Sequence, residues 1–181
     1  MLVRDTVHTS LVYFTAAAQR PPHQVNFGFC YMHCVISSIF FSNFIASANS
    51  FITPEIKRRI LEWKVWNDII MYESRHSPDL LLSEITKYIP KEDPDWDKII
   101  LRVNRLEDDS HTNKVIRALA SGQKSCQPYE NRPGVIIKGD AWRKIGHMTI
   151  DSAEAGEPHW TRSCGFHQAL RDVISGDGTK L

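Results

Sequence analysis

Three short segments carry side chains whose types and spacing could do chemistry. In the first, His33 stands between Cys30 and Cys34 inside the apolar run Phe29–Phe41. An ionisable ring in so apolar a stretch needs a partner. His33 is therefore either a ligand or acid/base group facing a buried pocket, or a core histidine bonded to a backbone carbonyl. The second is Leu106-Glu107-Asp108-Asp109-Ser110-His111. On a continuous helix Glu107 or Asp108 would sit beside the imidazole of His111. Such a carboxylate raises the histidine's pKa and fixes its tautomer, which suits a general base. The same spacing could offer two metal ligands, the rest of the donor set being unplaced, or Asp108, Asp109 or Ser110 simply caps the helix that follows. The third is Lys138-Gly139-Asp140-Ala141-Trp142, followed by His147, Met148 and Asp151. Here Asp140 can cap a helix, Trp142 can fill the core or stack on a planar ligand, and Lys138 beside a helix start makes an anion-binding corner.

The elements that must position these groups read as helices separated by proline and glycine. The pattern predicts helices over Val7–Gln19, Phe29–Ala48, Thr53 to about Ser74, Leu80–Tyr88, Ser110–Ala120 with Gly122 as its stop, Asp140–Ala153 and Trp160–Val173. Thr53-Pro54-Glu55 combines a cap, a proline suited to the first turn and an acid that complements the helix dipole. Asp93-Pro94-Asp95 repeats that logic before a stripe of Ile99, Ile100, Val103 and Leu106. Gln123–Gly139 reads as irregular, with Val135–Ile137 as a short extended piece. The fold class is all-α, a helical array or bundle: one domain over residues 1–174 and a frayed tail over 175–181. The five tryptophans read as core anchors and Lys57–Arg59 as a solvated face. No glycine pattern marks a Rossmann or P-loop nucleotide site.

Composition excludes several classes. A net charge of +1 gives no pull toward nucleic acid or an anionic membrane. Apolar content of 42% and charged content of 24% are those of an ordinary soluble globular chain. Phe27–Ala48 approaches membrane-spanning length, yet His33, Asn43 and its serines favour a buried core helix. Four scattered cysteines suit reduced thiols in the cytoplasm, and the first residues lack the apolar core of a signal peptide.

Taken together, Phe14–Pro21 (FTAAAQRP), Met32–Phe41 (MHCVISSIFF), Leu61–Lys64 (LEWK), Arg102–His111 (RVNRLEDDSH), Val115–Gln123 (VIRALASGQ), Ile137–Trp142 (IKGDAW) and Met148–Glu154 (MTIDSAE) resemble the questin oxidase-like family. That family includes Baeyer–Villiger-type oxidases of fungal polyketide pathways. The resemblance implies a mainly helical oxidoreductase that uses oxygen and NADPH on an aromatic polyketide. Its type reaction inserts oxygen beside a carbonyl of an anthraquinone, and the lactone then opens. Family members are longer, so the chain resembles a C-terminal portion of a larger helical domain. Within this reading His33 or His111 handles a phenolic proton and Lys138 stabilises oxyanion charge. Trp142, with Asp140 and Asp108, holds the planar substrate. All six are expected to face one oil-lined cavity. Two other readings stand beside it: a non-catalytic helical ligand-binding or interaction module prone to self-association, and a metal-dependent enzyme built on Asp108, His111 and His33.

Overall fold

The computed structural model describes residues 2–46, 52–91, 95–171 and 173. Seven helices appear among them: α1 (Leu2–Ala17), α2 (Phe29–Ala46), α3 (Pro54–Ser74), α4 (Leu82–Thr86), α5 (Trp96–Val103), α6 (His111–Cys126) and α7 (Ala141–Glu154). Two-residue strands β1 (Phe27–Gly28) and β2 (Trp160–Thr161) pair in parallel, Phe27 opposite Trp160 and Gly28 opposite Thr161. The protein is mostly helical, as its periodicity predicts. The expected tail over 175–181 and the Asp93-Pro94 start lie outside the described residues.

Local chemistry explains the helix ends. At α3, Thr53 adopts an extended conformation and its Oγ1 accepts from the Ile56 N–H at 3.3 Å, with Pro54 in the first turn. The stripe on α5 buries Ile99 and Val103, but the helix stops there, so Leu106 lies in the following loop. At α7 the side chain of Asp140 caps nothing; it pairs with Arg143 instead.

The core is formed by α1, α2, α6 and α7, with α5 and α4 closing one side. Every residue of α7 from Ile145 to Ala153 is buried. Several of its polar members find partners inside the fold, Thr149 Oγ1 donating to Ile145 O at 2.8 Å. Arg102 from α5 binds Asp151 at 2.5 Å and Glu154 at 2.5 Å, and the Tyr88 hydroxyl also donates to Asp151.

Three expectations need correction. Gly122 does not stop α6, which continues to Cys126. It is buried where α6 meets α1 and α7, and a Cβ there would stand 2.0 Å from His8 Nε2 and 2.9 Å from Trp142. The glycine is present because the helices approach too closely for a side chain. Gly122→Ala is expected to cost about 1–3 kcal/mol through overpacking. Urea denaturation measures this, and an unchanged midpoint would contradict the packing described. Val135–Ile137 pairs with no strand among the described residues; Ile137 is simply buried as an anchor.

The third correction is the largest. Trp160–Val173 is not a helix. It holds β2, a turn and a short 3-10 segment over His167–Leu170. Two contacts require the irregular path. β2 completes the ladder with β1, and a Cβ on Gly165 would lie 1.9 Å from the Arg75 carbonyl oxygen. The chain thus passes against backbone where a helix with ordinary side chains would collide.

Candidate active site

The small sheet places the site. β1 runs directly into α2, so pairing with β2 brings the first turn of α2 beside Trp160 and Arg162. Asn26 reinforces the junction: its Nδ2 donates to Pro158 O and its Oδ1 accepts from Thr161 Oγ1, both at 2.7 Å. Trp160 and Arg162 are two residues apart at this strand, so they project to the same side. Across from them, the start of α6 presents His111.

Four rings meet there. Phe29 and His33 lie one turn apart on α2, with ring centroids 4.7 Å apart in an edge-on arrangement. His33 and His111 are likewise edge-on at 5.0 Å. His111 lies 5.5 Å from Phe29 and 6.5 Å from Trp160. The Arg162 guanidinium sits 4.5 Å above Phe29. His33 and His111 thus stand at the edge of a cleft of 310 Å³ whose walls include Phe29, Asp108, Asp109, His159, Trp160 and Arg162. That volume lies at the small end of ligand sites.

The carboxylate that meets His111 is Asp109, not Glu107 or Asp108. His111 Nδ1 is 2.6 Å from Asp109 Oδ1. The helix assumed across Leu106–His111 does not exist, because Ser110 takes a left-handed conformation with φ of 68° and α6 begins only at His111. Asp108 has the capping role. Its carboxylate accepts from Ser110 N at 2.8 Å and Thr112 N at 3.0 Å.

The Asp109 carboxylate thus stands beside Nδ1 at ion-pair distance, without hydrogen-bond geometry between the two. Contact with His111 in turn holds the Asp109 carboxyl below the usual carboxylate range. Burial, then the neighbouring His111 and Lys114, push the His33 imidazole below its ordinary value against the opposing pull of Asp109. His33 is nevertheless exposed on α2, so it is not a core histidine. Its folded pKa lies below its unfolded one. Its contribution to stability is therefore level above about pH 6.5 and falls as pH drops from there through the lowered value. An NMR titration is expected to place the His33 midpoint below that of a free imidazole. In His111→Gln it should move upward, since one repelling charge is gone. An unmoved midpoint would show that the two rings do not interact.

Lys138, Asp140 and Trp142 do not join this cleft. Gln123 Nε2 donates to Gly139 O at 3.3 Å, and Gln123 lies twelve residues along α6 from His111. That separation is about 18 Å at 1.5 Å per residue. Lys138 and Asp140 are exposed. Trp142 is 0% exposed, stacked on His8 at 5.8 Å, with Nε1 donating to Glu130 Oε1 at 3.1 Å. Glu130 Oε2 accepts from Gly139 N at 3.0 Å. The Lys-Gly-Asp-Trp corner is a latch between α6 and α7, and the expectation of one shared cavity is corrected. Nor is the cleft oil-lined, since Glu107, Asp108, Asp109 and Glu157 stand on its walls. Among the described residues no group of three or more His, Cys, Asp or Glu side chains could hold a metal ion.

Sequence reasoning missed Phe29, His159 and Arg162 as site residues and took Trp160 for a core anchor. Phe29 is legible from its spacing of four before His33. Trp160 and Arg162 are hidden by the helix assigned over Trp160–Val173, and His159 just before it carries no signal of its own.

Residues 3–119 match the family model described as questin oxidase-like. The chain belongs to that family. It is 35% identical to the oxidoreductase AflY of Aspergillus parasiticus over 152 residues, 83% of this chain and 30% of that protein. It is 32% identical to the questin oxidase of Aspergillus fumigatus over 160 residues, 85% and 35% of the two chains. It is also 32% identical to the Baeyer-Villiger oxidase ptaJ of Pestalotiopsis fici over 161 residues, 85% and 36%. The chain spans about a third of the length of these relatives. Within this questin oxidase-like chain, the family match includes Phe29, His33, Asp108, Asp109 and His111. Among the described residues, no helix is long and apolar enough to cross a membrane.

Proposed function

We propose that this chain forms the phenol-binding part of an oxidoreductase that performs Baeyer–Villiger-type oxygen insertion on an anthraquinone-like polyketide. The observation that carries this reading is the Asp109–His111–His33 set at the edge of a cleft walled by Phe29, Trp160 and Arg162. Family membership and the names of the relatives support the reaction class. The net reaction balances as ketone, oxygen, NADPH and a proton giving lactone, NADP and water. Hydrolysis of the lactone then opens the ring.

The chain's own residues prepare the substrate. Phe29 and Trp160 flank a flat aromatic ring, an arrangement favoured by their quadrupoles. In this reading the Asp109 carboxylate beside Nδ1 favours the proton on that nitrogen, and His111 accepts a phenolic proton at Nε2. Arg162 then stabilises the phenolate, whose electron-rich ring reacts more readily with oxygen. Lys138 precedes Gly139, which bonds to Gln123 about 18 Å along α6 from His111, and has no part in this step.

NADPH is the reductant we propose from the family, but these walls do not fit its phosphates. Glu107, Asp108, Asp109 and Glu157 face the cleft, with Arg162 and His159 as its only basic side chains among the lining residues. No step here runs through the dinucleotide. A reducing, cytoplasmic setting suits the four scattered cysteines.

The test is incubation with questin, NADPH and isotopically labelled oxygen gas. One labelled oxygen in the ring-opened product is expected. Consumption without label overturns the reaction class. Binding without turnover favours the ligand-holding module instead.

A further inference from the structure

Helix α3 is built inside out. Its buried residues are Lys64 and Asp68. They pair with each other, and Lys64 Nζ donates to the Cys34 carbonyl on α2 at 3.2 Å. Met71 and Tyr72 pack inward, but a stripe of large apolar side chains faces solvent: Trp63, Trp66 and Ile70 are each 64% exposed and Ile56 is 46% exposed, so these two tryptophans are not the core anchors the sequence predicts. These positions follow a heptad spacing, with Ile56, Trp63 and Ile70 seven apart and Trp66 between them. Arg59 and Glu73 occupy the equivalent positions seven before and seven after Trp66. At this exposure the two tryptophans alone leave about 300 Å² of largely apolar surface in water. With the isoleucines the stripe reaches about 500 Å², the upper part of the range for the largest patch on a monomer and often a functional surface.

We propose that this stripe packs antiparallel against α3 of a second copy of the chain, about a twofold axis between Trp63 and Trp66. The charges select that partner and that direction. The first turns of α3 carry Lys57, Arg58 and Arg59 against Glu55, with Arg58 paired to Glu62, and the last turn carries Glu73. Cations are poorly placed at a helix start. In the antiparallel pair, Trp63 packs on Trp66 of the second copy and Arg59 comes within one turn of its Glu73. A parallel pair would set basic end on basic end. Arg59 is available for this: within its own chain it has a 3.9 Å contact with Glu62 and lies 5.8 Å from the Trp63 ring. A twofold contact repeats every interaction, so a modest pair acts twice. This inference is independent of the proposed activity.

Sedimentation velocity over a range of concentrations tests it. The chain is expected to dimerise. Trp66→Glu should be monomeric with an unchanged far-ultraviolet circular dichroism spectrum, since the residue faces solvent, and Ile70→Lys should behave alike. Glu73→Arg should raise the dimer Kd about tenfold by opposing Arg59. Adding Arg59→Glu to that variant should restore it. A monomer at every concentration overturns the proposal and leaves the face to the further chain that the relatives carry. A dimer that survives Trp66→Glu and Ile70→Lys overturns it equally.

Discussion

Trp142→Ala is expected to remove about 3–5 kcal/mol of stability, a large share of what a domain of this size has. Trp142 is wholly buried between His8 and the α6–α7 turn, and its indole N–H satisfies Glu130. Deleting the ring empties a large volume beside Gly122, where the helices already touch. It also strips one donor from a carboxylate that holds Gly139 in place. The melting temperature should fall by about 10 °C or more. Trp142→Phe should lose less, since most of the volume remains. A ligand platform behaves otherwise: alanine there would spare the melting temperature and weaken binding. Thermal unfolding of the two variants therefore decides between latch and platform. A melting temperature within a degree or two of wild type would return Trp142 to the substrate site.

His111→Gln carries the largest expected effect on chemistry. Glutamine keeps polarity and approximate size but cannot accept the phenolic proton. Positioned general bases contribute about 10²–10⁴-fold, and the rate of oxygen-dependent questin consumption should fall by that order. Asp109→Asn should have a smaller effect, because it releases the tautomer without removing the base. It should also move the pH profile, since the charge beside Nδ1 disappears. Lys138→Ala should leave the rate unchanged. Equal losses in His111→Gln and Lys138→Ala would restore the single-cavity picture; full activity in His111→Gln would remove the histidine from the mechanism.

Much of this architecture is legible in the sequence. Periodicity marks α6 and α7, whose apolar residues recur every three to four positions, while α2 is legible as an apolar run of helix length. The Thr53-Pro54-Glu55 start is legible because capping is local chemistry. What the sequence hides is tertiary. Gly122 looks like a helix stop until the neighbouring His8 and Trp142 supply the reason for a missing side chain. Residues Trp160–Arg162 look helical in isolation, and a two-residue strand has too few alternations to announce itself. Its partner, Phe27–Gly28, lies more than a hundred residues earlier. The site shares this division. His33, Asp108 and His111 are visible as types and spacings. Asp109 replaces its neighbours only because Ser110 turns the backbone left-handed. Arg162 and His159 enter only through the sheet. Lys138 and Trp142 are adjacent in sequence to a plausible capping motif, which carries no information about distance from His111.

The most direct test of the account is the visible absorption of a hydroxyanthraquinone bound to the protein, titrated across pH. Its phenolate absorbs to the red of its phenol. Beside His111 and Arg162 the bound phenol should ionise at least about one pH unit lower than it does free in solution. The difference should vanish in His111→Gln and shrink in Arg162→Ala. A bound chromophore that titrates as it does in water, or one whose shift persists without His111, would contradict it.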